Sequence, residues 1–412
     1  MSIRGWPSGG LWRHPDFLRL WGAQVASAFG SRITRTALPL IAILSIEATP
    51  TEVSVLSALS VLPGVLVGLF VGGHIDRTAK RPLLIGSDLV RALLIASIPL
   101  TAWLGVLSMP QLYGVAAAVG AATTLFQIAD NSFLPTLIGK DLLVEGNAKL
   151  EATDSIAEAA GPGLAGVLIQ VLTAPVTVVI DALSYLGSAF LLSRIQTREE
   201  PVTAAETETT VLGDILTGFR ASLSHPLIGP VLLAEAFMYF FGGFFFALYM
   251  FFTLETLGLS PAAVGLIISV GGVGAFAGAL IARPLEQRVG MGPALVIALG
   301  VGQVANLFIP LALSAGRLAI PLLVLQQLIG DAFLGAYMVH SISLRQRMLP
   351  QAVLGRANAT FHVMTGLMLP AGALLAGPLA GTLGMTSTLW IGACGGLLAA
   401  PVLLRPSVLQ LR

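Results

Sequence analysis

The amino-acid sequence predicts an all-α polytopic membrane protein whose twelve transmembrane helices form two pseudo-symmetric six-helix bundles. The first observation is composition: of 412 residues, 55% are hydrophobic and 10% charged, with a mean hydropathy of +0.88. A soluble chain of this length cannot bury so much apolar surface. The second is a set of twelve apolar stretches, each long enough to span a bilayer. The third is a repeat that relates the two halves of the chain.

The twelve spans follow from hydropathy, with breaks at prolines, glycines and clusters of charge. A helix of roughly 20 to 28 residues crosses a hydrocarbon core of about 30 Å, because each residue adds about 1.5 Å. The first span is expected to be retained, because charged residues between Arg4 and Arg19 interrupt the pattern of a cleavable signal peptide. In order, the predicted spans are residues 17–44, 53–75, 82–106, 110–134, 147–172, 175–194, 227–254, 261–283, 293–315, 317–340, 357–382 and 386–404.

Basic residues are distributed unequally between the two sets of loops. The loops on one side hold Arg77, Lys80, Arg81, Lys140, Arg194, Arg198, Arg288, Arg345, Arg347 and Arg356. The loops on the other side hold almost nothing basic except Arg317. Because cytoplasmic loops carry the excess of lysine and arginine, both termini are predicted to be cytoplasmic.

The second half of the chain repeats the first at an offset of 211 residues. This offset relates His14 to His225, Asn147 to Asn358, and the segments that begin at Arg77 and Gly161 to those that begin at Arg288 and Gly372. A Thr/Glu-rich polar segment separates the halves. The predicted domains are an N-terminal bundle at residues 1–193, a cytoplasmic linker at 194–225 and a C-terminal bundle at 226–412, with a central path between the bundles.

Several classes of function are disfavoured by the sequence. The single cysteine, Cys394, cannot form an intrachain disulfide or a multi-cysteine metal site. The five histidines are scattered, and neither a nucleophile–base constellation nor a nucleotide-binding loop is present in the sequence. We therefore expect neither an enzyme nor a cofactor, no metal site and no nucleic-acid partner.

Polar residues inside the spans form helical stripes, which are expected to face the bundle interior or a water-filled cavity. The first span also carries Arg32 and Arg35 near its middle. Arginine stays charged, so both are expected to pair with buried acids or to hold cargo. The predicted substrate-binding residues are Arg35, Arg32, Gln24, Gln127, Glu235, Tyr239, Asp331 and His362. Aromatic residues from Phe237 to Phe252 either contact an apolar cargo or face lipid.

Depth in the membrane selects among the acidic residues of the N-terminal half. Glu158 lies roughly 16 Å from the cytoplasmic end of its helix by helical rise, near the midplane, and Asp154 about 10 Å. A carboxylate in a cavity beside arginine can titrate near neutrality. Glu158 is therefore predicted to be the proton-coupling acid, with Asp154 and Asp130 as the next candidates.

Two stretches resemble motifs of the major facilitator superfamily. They are GGHIDRTAKRPLLIGSDLVRALL at Gly72–Leu94 and EGNAKLEATDSIAEAAGPGLAGVL at Glu145–Leu168. Within the superfamily, the chain resembles the exporter branch that includes the enterobactin and macrolide efflux proteins. The resemblance covers nearly the whole chain, and it implies the major facilitator fold and a transport function.

The resemblance also implies a gate at the cytoplasmic side. Asp76 would dock against the other half, where a helix N-terminus stabilises it. Gln287 stands 211 residues after Asp76, so the second half lacks the acidic residue at this position. The gate is therefore expected to be asymmetric. Each of these features also has a simpler explanation that involves no gate. The basic residues can serve only to fix the orientation of the helices, and the Gly-Pro stretch can serve only to let helices pack closely. The i,i+3 pair on the third helix can serve only to neutralise its own charges. The residues assigned to the gate are Gly73, Asp76, Arg77, Arg81, Asp88, Arg91, Gly161 and Pro162.

The leading hypothesis is a secondary active transporter, a proton-coupled antiporter that exports a small amphipathic organic compound such as a drug, siderophore or secondary metabolite. The alternatives are an importer of an organic anion bound by Arg32 and Arg35, and a non-transporting membrane receptor. The expected partners are a small-molecule substrate, protons and the lipid bilayer, and the chain is expected to act as a monomer in the cytoplasmic (inner) membrane.

Overall fold

The computed structural model describes residues 10–75, 78–197, 199, 218–220 and 222–411. Within these ranges, twelve helices are long and apolar enough to cross a membrane. They are α1 (Pro15–Ile46), α2 (Pro50–Ile75), α3 (Lys80–Trp103), α4 (Met109–Ile138), α5 (Leu143–Leu172), α6 (Ala174–Ser193), α7 (Ile228–Thr256), α8 (Pro261–Val289), α9 (Met291–Ser314), α10 (Gly316–Met348), α11 (Gln351–Leu383) and α12 (Met385–Val402). The predicted all-α, twelve-helix fold class is confirmed.

The first helix of each half begins with the same histidine cap. The Nδ1 atom of His14 accepts a hydrogen bond from the backbone N–H of Phe17 at 3.1 Å. The Nδ1 atom of His225 accepts one from the N–H of Ile228 at 3.3 Å. His225 and Ile228 lie 211 positions after His14 and Phe17. Each cap satisfies one of the backbone donors that the first turn of a helix leaves free.

The start of α1 and the last described residues, up to Leu411, lie at the same membrane side, which we call the terminal side. At the start of α1, the carboxylate of Asp16 accepts hydrogen bonds from the backbone N–H groups of Gln196 and Thr197, just after α6. Near the C-terminus, the carbonyl of Leu411 accepts a hydrogen bond from Gly292 N–H at 3.1 Å, at the start of α9. We call the opposite side the far side.

The apolar cores show where the two halves meet. One core at the far side contains residues of both halves, including Ile41 and Leu56 from the first and Leu254 and Val264 from the second. At the terminal side, by contrast, the core around Phe17 belongs only to the first half, and a separate core belongs only to the second. The two bundles are therefore joined at the far side, and the cleft between them opens to the terminal side.

Two seams join the bundles, one between α5 and α8 and the other between α2 and α11. Close approaches along them pair Gly166 with Gly265, Ala159 with Gly272, Gly377 with Ser54, and Gly366 with Val65. The two residue numbers in each pair add up to 431. A rotation that exchanges the halves adds 211 to one number and subtracts 211 from the other, so it leaves the sum unchanged. The seams are therefore related by the pseudo-twofold axis.

Candidate functional site

A cluster of four charged side chains joins α1 to α5 on the wall of the cleft. The Nη2 atom of Arg32 donates to both carboxylate oxygens of Asp154, at 2.9 and 3.0 Å. The Nε atom of Arg32 contacts the carboxylate of Glu158, which also lies 3.5 Å from Nη1 of Arg35. Glu158 thus bridges the two arginines. The structure brings together four residues that the sequence analysis had selected on two different helices.

A glycine allows these helices to approach. A Cβ atom at Gly161 would overlap the Cβ of Arg32, so only glycine permits the backbone of α5 to lie against α1 at this height. Pro162 follows and is buried, and its carbonyl oxygen lies against Gly265 of α8. Gly161 therefore allows Arg32 to lie directly beside the acids that it pairs with.

The cluster is open to the cleft rather than sealed in the protein. The side chains of Asp154, Glu158 and Arg35 are each more than half exposed, whereas that of Arg32 is 13% exposed. In the Arg35–Glu158 pair both side chains are more than half exposed, and a pair of this kind contributes only about 0.2–1 kcal/mol. Arg35 and Glu158 can therefore separate and re-form without a large cost in free energy.

The second half presents one acid to the same region. Asp331 follows a π-helical turn at Gln326–Gly330 in α10, and such turns are often found at functional sites. Gly271 on α8 leaves room for its carboxylate. Asp331 lies close enough to Glu158 and Tyr249 for electrostatic coupling. Among the described residues, this group brings together two arginines and three carboxylates, which leaves an excess of one negative charge if all five are ionised.

A second polar network is buried inside the N-terminal bundle. Asp88 and Arg91 form an ion pair on α3 and are 0% and 2% exposed. The guanidinium of Arg91 lies between two aromatic rings, 4.4 Å from the ring centroid of Phe126 and 4.3 Å from that of Tyr185. The predicted i,i+3 pair is therefore enclosed behind the cleft wall in this conformation.

Asp181 on α6 belongs to this buried network, and the sequence analysis missed it. It is fully buried, with Arg91 and Asp88 among its electrostatic neighbours. Its Oδ1 accepts a hydrogen bond from Ser184 at 3.1 Å, and Tyr185 on the same helix pairs with Ser31 of α1 at 2.9 Å. The available signal was a lone acid in an otherwise apolar span, which marks a functional or structural site by itself.

Gln24 and Asp130 lie next to one another in the first half, on α1 and α4. The positions 211 residues later are Glu235 and Ser341, which are directly hydrogen bonded on α7 and α10. Glu235 is 3% exposed, and Nη1 of Arg345 lies 3.5 Å from its carboxylate. Each half therefore has one acid at this depth, Asp130 on α4 in the first half and Glu235 on α7 in the second. Because the repeat relates α4 to α10 and α1 to α7, the acid lies on a different helix of the equivalent pair in each half.

The remaining predicted cargo residues are dispersed. Gln127 and His362 are exposed, and Tyr239 is half-buried near Glu235. The aromatic run of α7 packs partly inside its own bundle: the ring of Phe241 lies against Gly395 of α12, and Phe244 lies against Gly392. Part of the aromatic run is therefore explained by packing between helices rather than by contact with cargo.

Part of the predicted gate lies outside the residues that the structure describes. Asp76 and Arg77 are outside them, and for Gly73 only the helical backbone is described. Arg81 is described: its Nε donates to the carbonyl of Leu192 at 3.0 Å, and its guanidinium also contacts Ser193, so it caps the end of α6. This contact fixes the start of α3 to the end of α6 at the terminal side.

Comparison with known proteins identifies the family. A family model described as transmembrane secretion effector matches residues 10–411, nearly the whole chain. The chain belongs to the major facilitator superfamily. Proteins of this superfamily are transporters and not enzymes, so the expectation of a non-enzymatic transporter is confirmed.

Individual members of the major facilitator superfamily resemble the chain over most of its length. The multidrug efflux pump Tap of Mycolicibacterium fortuitum is 27% identical over 91% of both chains. The uncharacterized MFS-type transporter YvqJ of Bacillus subtilis is 23% identical over 82% of this chain and 80% of its own.

The crystal structure of a bacterial homologue of the iron transporter ferroportin, in an inward-facing state, has a TM-score of 0.77 and 16% identity. It covers 96% of this chain and 98% of that protein. At this identity the likeness establishes the fold alone. The protein is therefore a multi-pass membrane transporter with the major facilitator fold, as the two sequence motifs implied.

Proposed function

We propose that the protein is a proton-coupled antiporter that exports a small amphipathic organic compound across the bacterial cytoplasmic membrane by alternating access. The observation that carries the proposal is the bridging position of Glu158, which contacts both Arg32 and Arg35 on the open wall of the cleft. The similarity to a multidrug efflux pump over 91% of the chain supports the direction and the class of cargo.

The two seams supply the basis for alternating access. In this structure they hold the bundles together at the far side, and the separate cores leave the terminal side open. The distribution of basic residues predicts that the terminal side is cytoplasmic. Cargo then enters from the cytoplasm in this conformation, and rocking of the bundles about the central site exposes it to the opposite side.

The charge cluster supplies the coupling. When Glu158 is ionised, it holds Arg32 and Arg35 in place against α5. Protonation removes the charge of Glu158, so Arg35 loses its carboxylate partner, while Arg32 keeps Asp154. A proton on Glu158 therefore changes the charge of the cleft beside Asp331, and cargo and proton compete for the same charges. Asp154 and Asp130 serve as further acids along the path.

The balance of charge favours a cationic or neutral cargo over an organic anion. Both arginines already have carboxylate partners, and Asp331 has no ion-pair partner among the described residues. A bound anion would have to displace Asp154 or Glu158 from the arginines. A cation can bind beside Asp331 without breaking an existing pair.

Transport in everted membrane vesicles tests the proposal. With an imposed pH gradient, acid inside, we expect the vesicles to accumulate ethidium, a cationic amphipathic dye, and to release protons as they do so. Glu158→Gln should abolish the proton release. Glu255→Gln, the same change at an exposed site in the last turn of α7, should leave it intact.

Two outcomes would contradict the proposal. The coupling assignment is wrong if dye-dependent proton release survives in Glu158→Gln, Asp154→Asn and Asp130→Asn alike. The direction and cargo charge are wrong if right-side-out vesicles accumulate the anionic dye 8-anilinonaphthalene-1-sulfonate in an Arg35-dependent manner, since that result identifies an importer of organic anions.

A further inference from the structure

A basic cleft lies in the C-terminal bundle, away from the α1–α5 cluster. It has a volume of about 750 Å³ and opens between the terminal-side ends of α8 and α10. The charged and titratable side chains that line it are Arg283, Glu286, Arg288, His340 and Arg347. Nothing in the proposed transport cycle uses this group of residues.

Most of the positive charge in this basic cleft is uncompensated. Nη1 of Arg347 lies 2.7 Å from Oε1 of Glu286, so the one acid in the lining is already paired with Arg347. Arg283 and Arg288 have no ion-pair partner in the part of the chain that the structure describes. The basic cleft therefore carries two surplus positive charges, and a bound anion would be stabilised by them.

A buried histidine leaves a polar atom without a partner in the wall. The side chain of His340 is 1% exposed, with Nδ1 3.8 Å from Glu286. Its Nε2 atom is buried and makes no hydrogen bond to any described residue. Buried polar atoms are nearly always hydrogen bonded, so an orphan in the lining of a charged cleft indicates a missing partner.

The chemistry of the lining selects the type of anion. Guanidinium groups bind phosphate and carboxylate through parallel N–H donors, and three of them from two helices suit a group that accepts in several directions, as phosphate does. The rim is apolar, since Val289 and Val339 line the cleft and are 40% and 39% exposed. Basic pockets between transmembrane helices near the membrane surface are suited to lipid phosphates.

We propose that the basic cleft binds a phosphate-bearing anion at the terminal side of the membrane. Arg283 and Arg288 neutralise the phosphate, and His340 Nε2 donates a hydrogen bond to it. Two sources offer this chemistry, the headgroup of an anionic phospholipid and a free phosphate compound. The apolar rim can accommodate the glycerol and upper acyl chains of a lipid.

Binding to the purified full-length protein in detergent tests the site. Fluorescently labelled cardiolipin, phosphatidylglycerol and phosphatidylcholine are titrated, and inorganic pyrophosphate is used as a competitor. We expect the Arg283→Gln, Arg288→Gln double variant to bind cardiolipin at least tenfold more weakly than the unaltered protein. Arg405→Gln, the same change at an exposed terminal-side position, should bind as the unaltered protein does. His340→Phe keeps the shape of the ring and should weaken binding severalfold.

The competition identifies the source of the phosphate. Cardiolipin binding that depends on both arginines and resists millimolar pyrophosphate supports a lipid headgroup. Displacement by pyrophosphate in the same arginine-dependent manner supports a free phosphate compound. Equal cardiolipin affinity in the double variant and the unaltered protein, or an equal loss in Arg405→Gln, overturns the proposal. If the double variant does not elute as a folded species on gel filtration, the two single variants are compared instead, each with an expected severalfold loss.

Discussion

The substitution Gly166→Ala should shift the transporter away from the conformation described here. An added Cβ at Gly166 would overlap the carbonyl oxygen of Pro261 and lie 3.1 Å from Cα of Gly265. Both neighbours are backbone atoms of α8, so neither can move aside alone, and the seam must widen. The clash exists only while the far side is closed.

The size of the shift follows from the packing. Adding a methyl group to a tightly packed contact costs about 1–3 kcal/mol. Because that cost applies to one of two conformations, it changes their ratio by about 5- to 150-fold. The intrinsic preference of a helix for alanine over glycine, about 0.5–1 kcal/mol, is the same in both conformations and does not shift the ratio.

Distances between spin labels at the far side provide the measurement. Labels at Leu104 and Leu318, exposed residues at the far-side ends of α3 and α10, report the separation of the halves once Cys394 is replaced by serine. We expect Gly166→Ala to populate a longer distance. The matched control is Gly114→Ala on α4, where a Cβ would meet nothing within 4 Å. Identical distance distributions in the two variants would refute the assignment of the seam as the far-side seal.

Three further expectations concern the ion pairs. Asp88→Asn should reduce the free energy of unfolding by about 3–5 kcal/mol, because it leaves a buried arginine without its partner, and a lower melting temperature in detergent would report it. Glu235→Gln and Arg345→Gln should be non-additive by about 0.5–3 kcal/mol in a double-mutant cycle of thermal stability, and additivity would show that the two groups act independently. Arg32→Gln should lower the melting temperature more than Arg35→Gln, because Arg32 pairs with two acids and is largely buried; equal effects would contradict the observed geometry.

Hydropathy was sufficient to predict the spans but not their true lengths. The eleventh span was predicted to begin at residue 357, whereas α11 begins at Gln351, and α4 continues from the predicted residue 134 to Ile138. These extra turns contain polar residues and Pro135, which break an apolar pattern. Helices extend beyond the hydrocarbon core into the interface, where water satisfies polar groups. The apolar stretch therefore shows which part of a helix lies in the hydrocarbon core and not where the helix begins and ends.

The candidate site was predictable only where a pattern ran along one helix. Arg32, Asp154 and Glu158 stood out because charges at helical spacing inside a span require an interior face. Asp181 did not stand out in the same way, because it is the one charged residue of α6 and no second charge at helical spacing accompanies it. Contacts between helices depend on their rotation and tilt, which are set by close approaches such as that at Gly161.

The close approaches along the α5–α8 seam involve backbone atoms. Gly166 lies against the carbonyl oxygen of Pro261 and the Cα of Gly265, and Gly272 lies against the Cα of Ala159. The charges that face the cleft belong to other positions on α1, α5 and α10. Mutation can therefore alter the cleft residues one at a time, and so change which compounds are carried, while the geometry of the seam is inherited intact. A fold with this separation can diversify its cargo without having to evolve a new way to move.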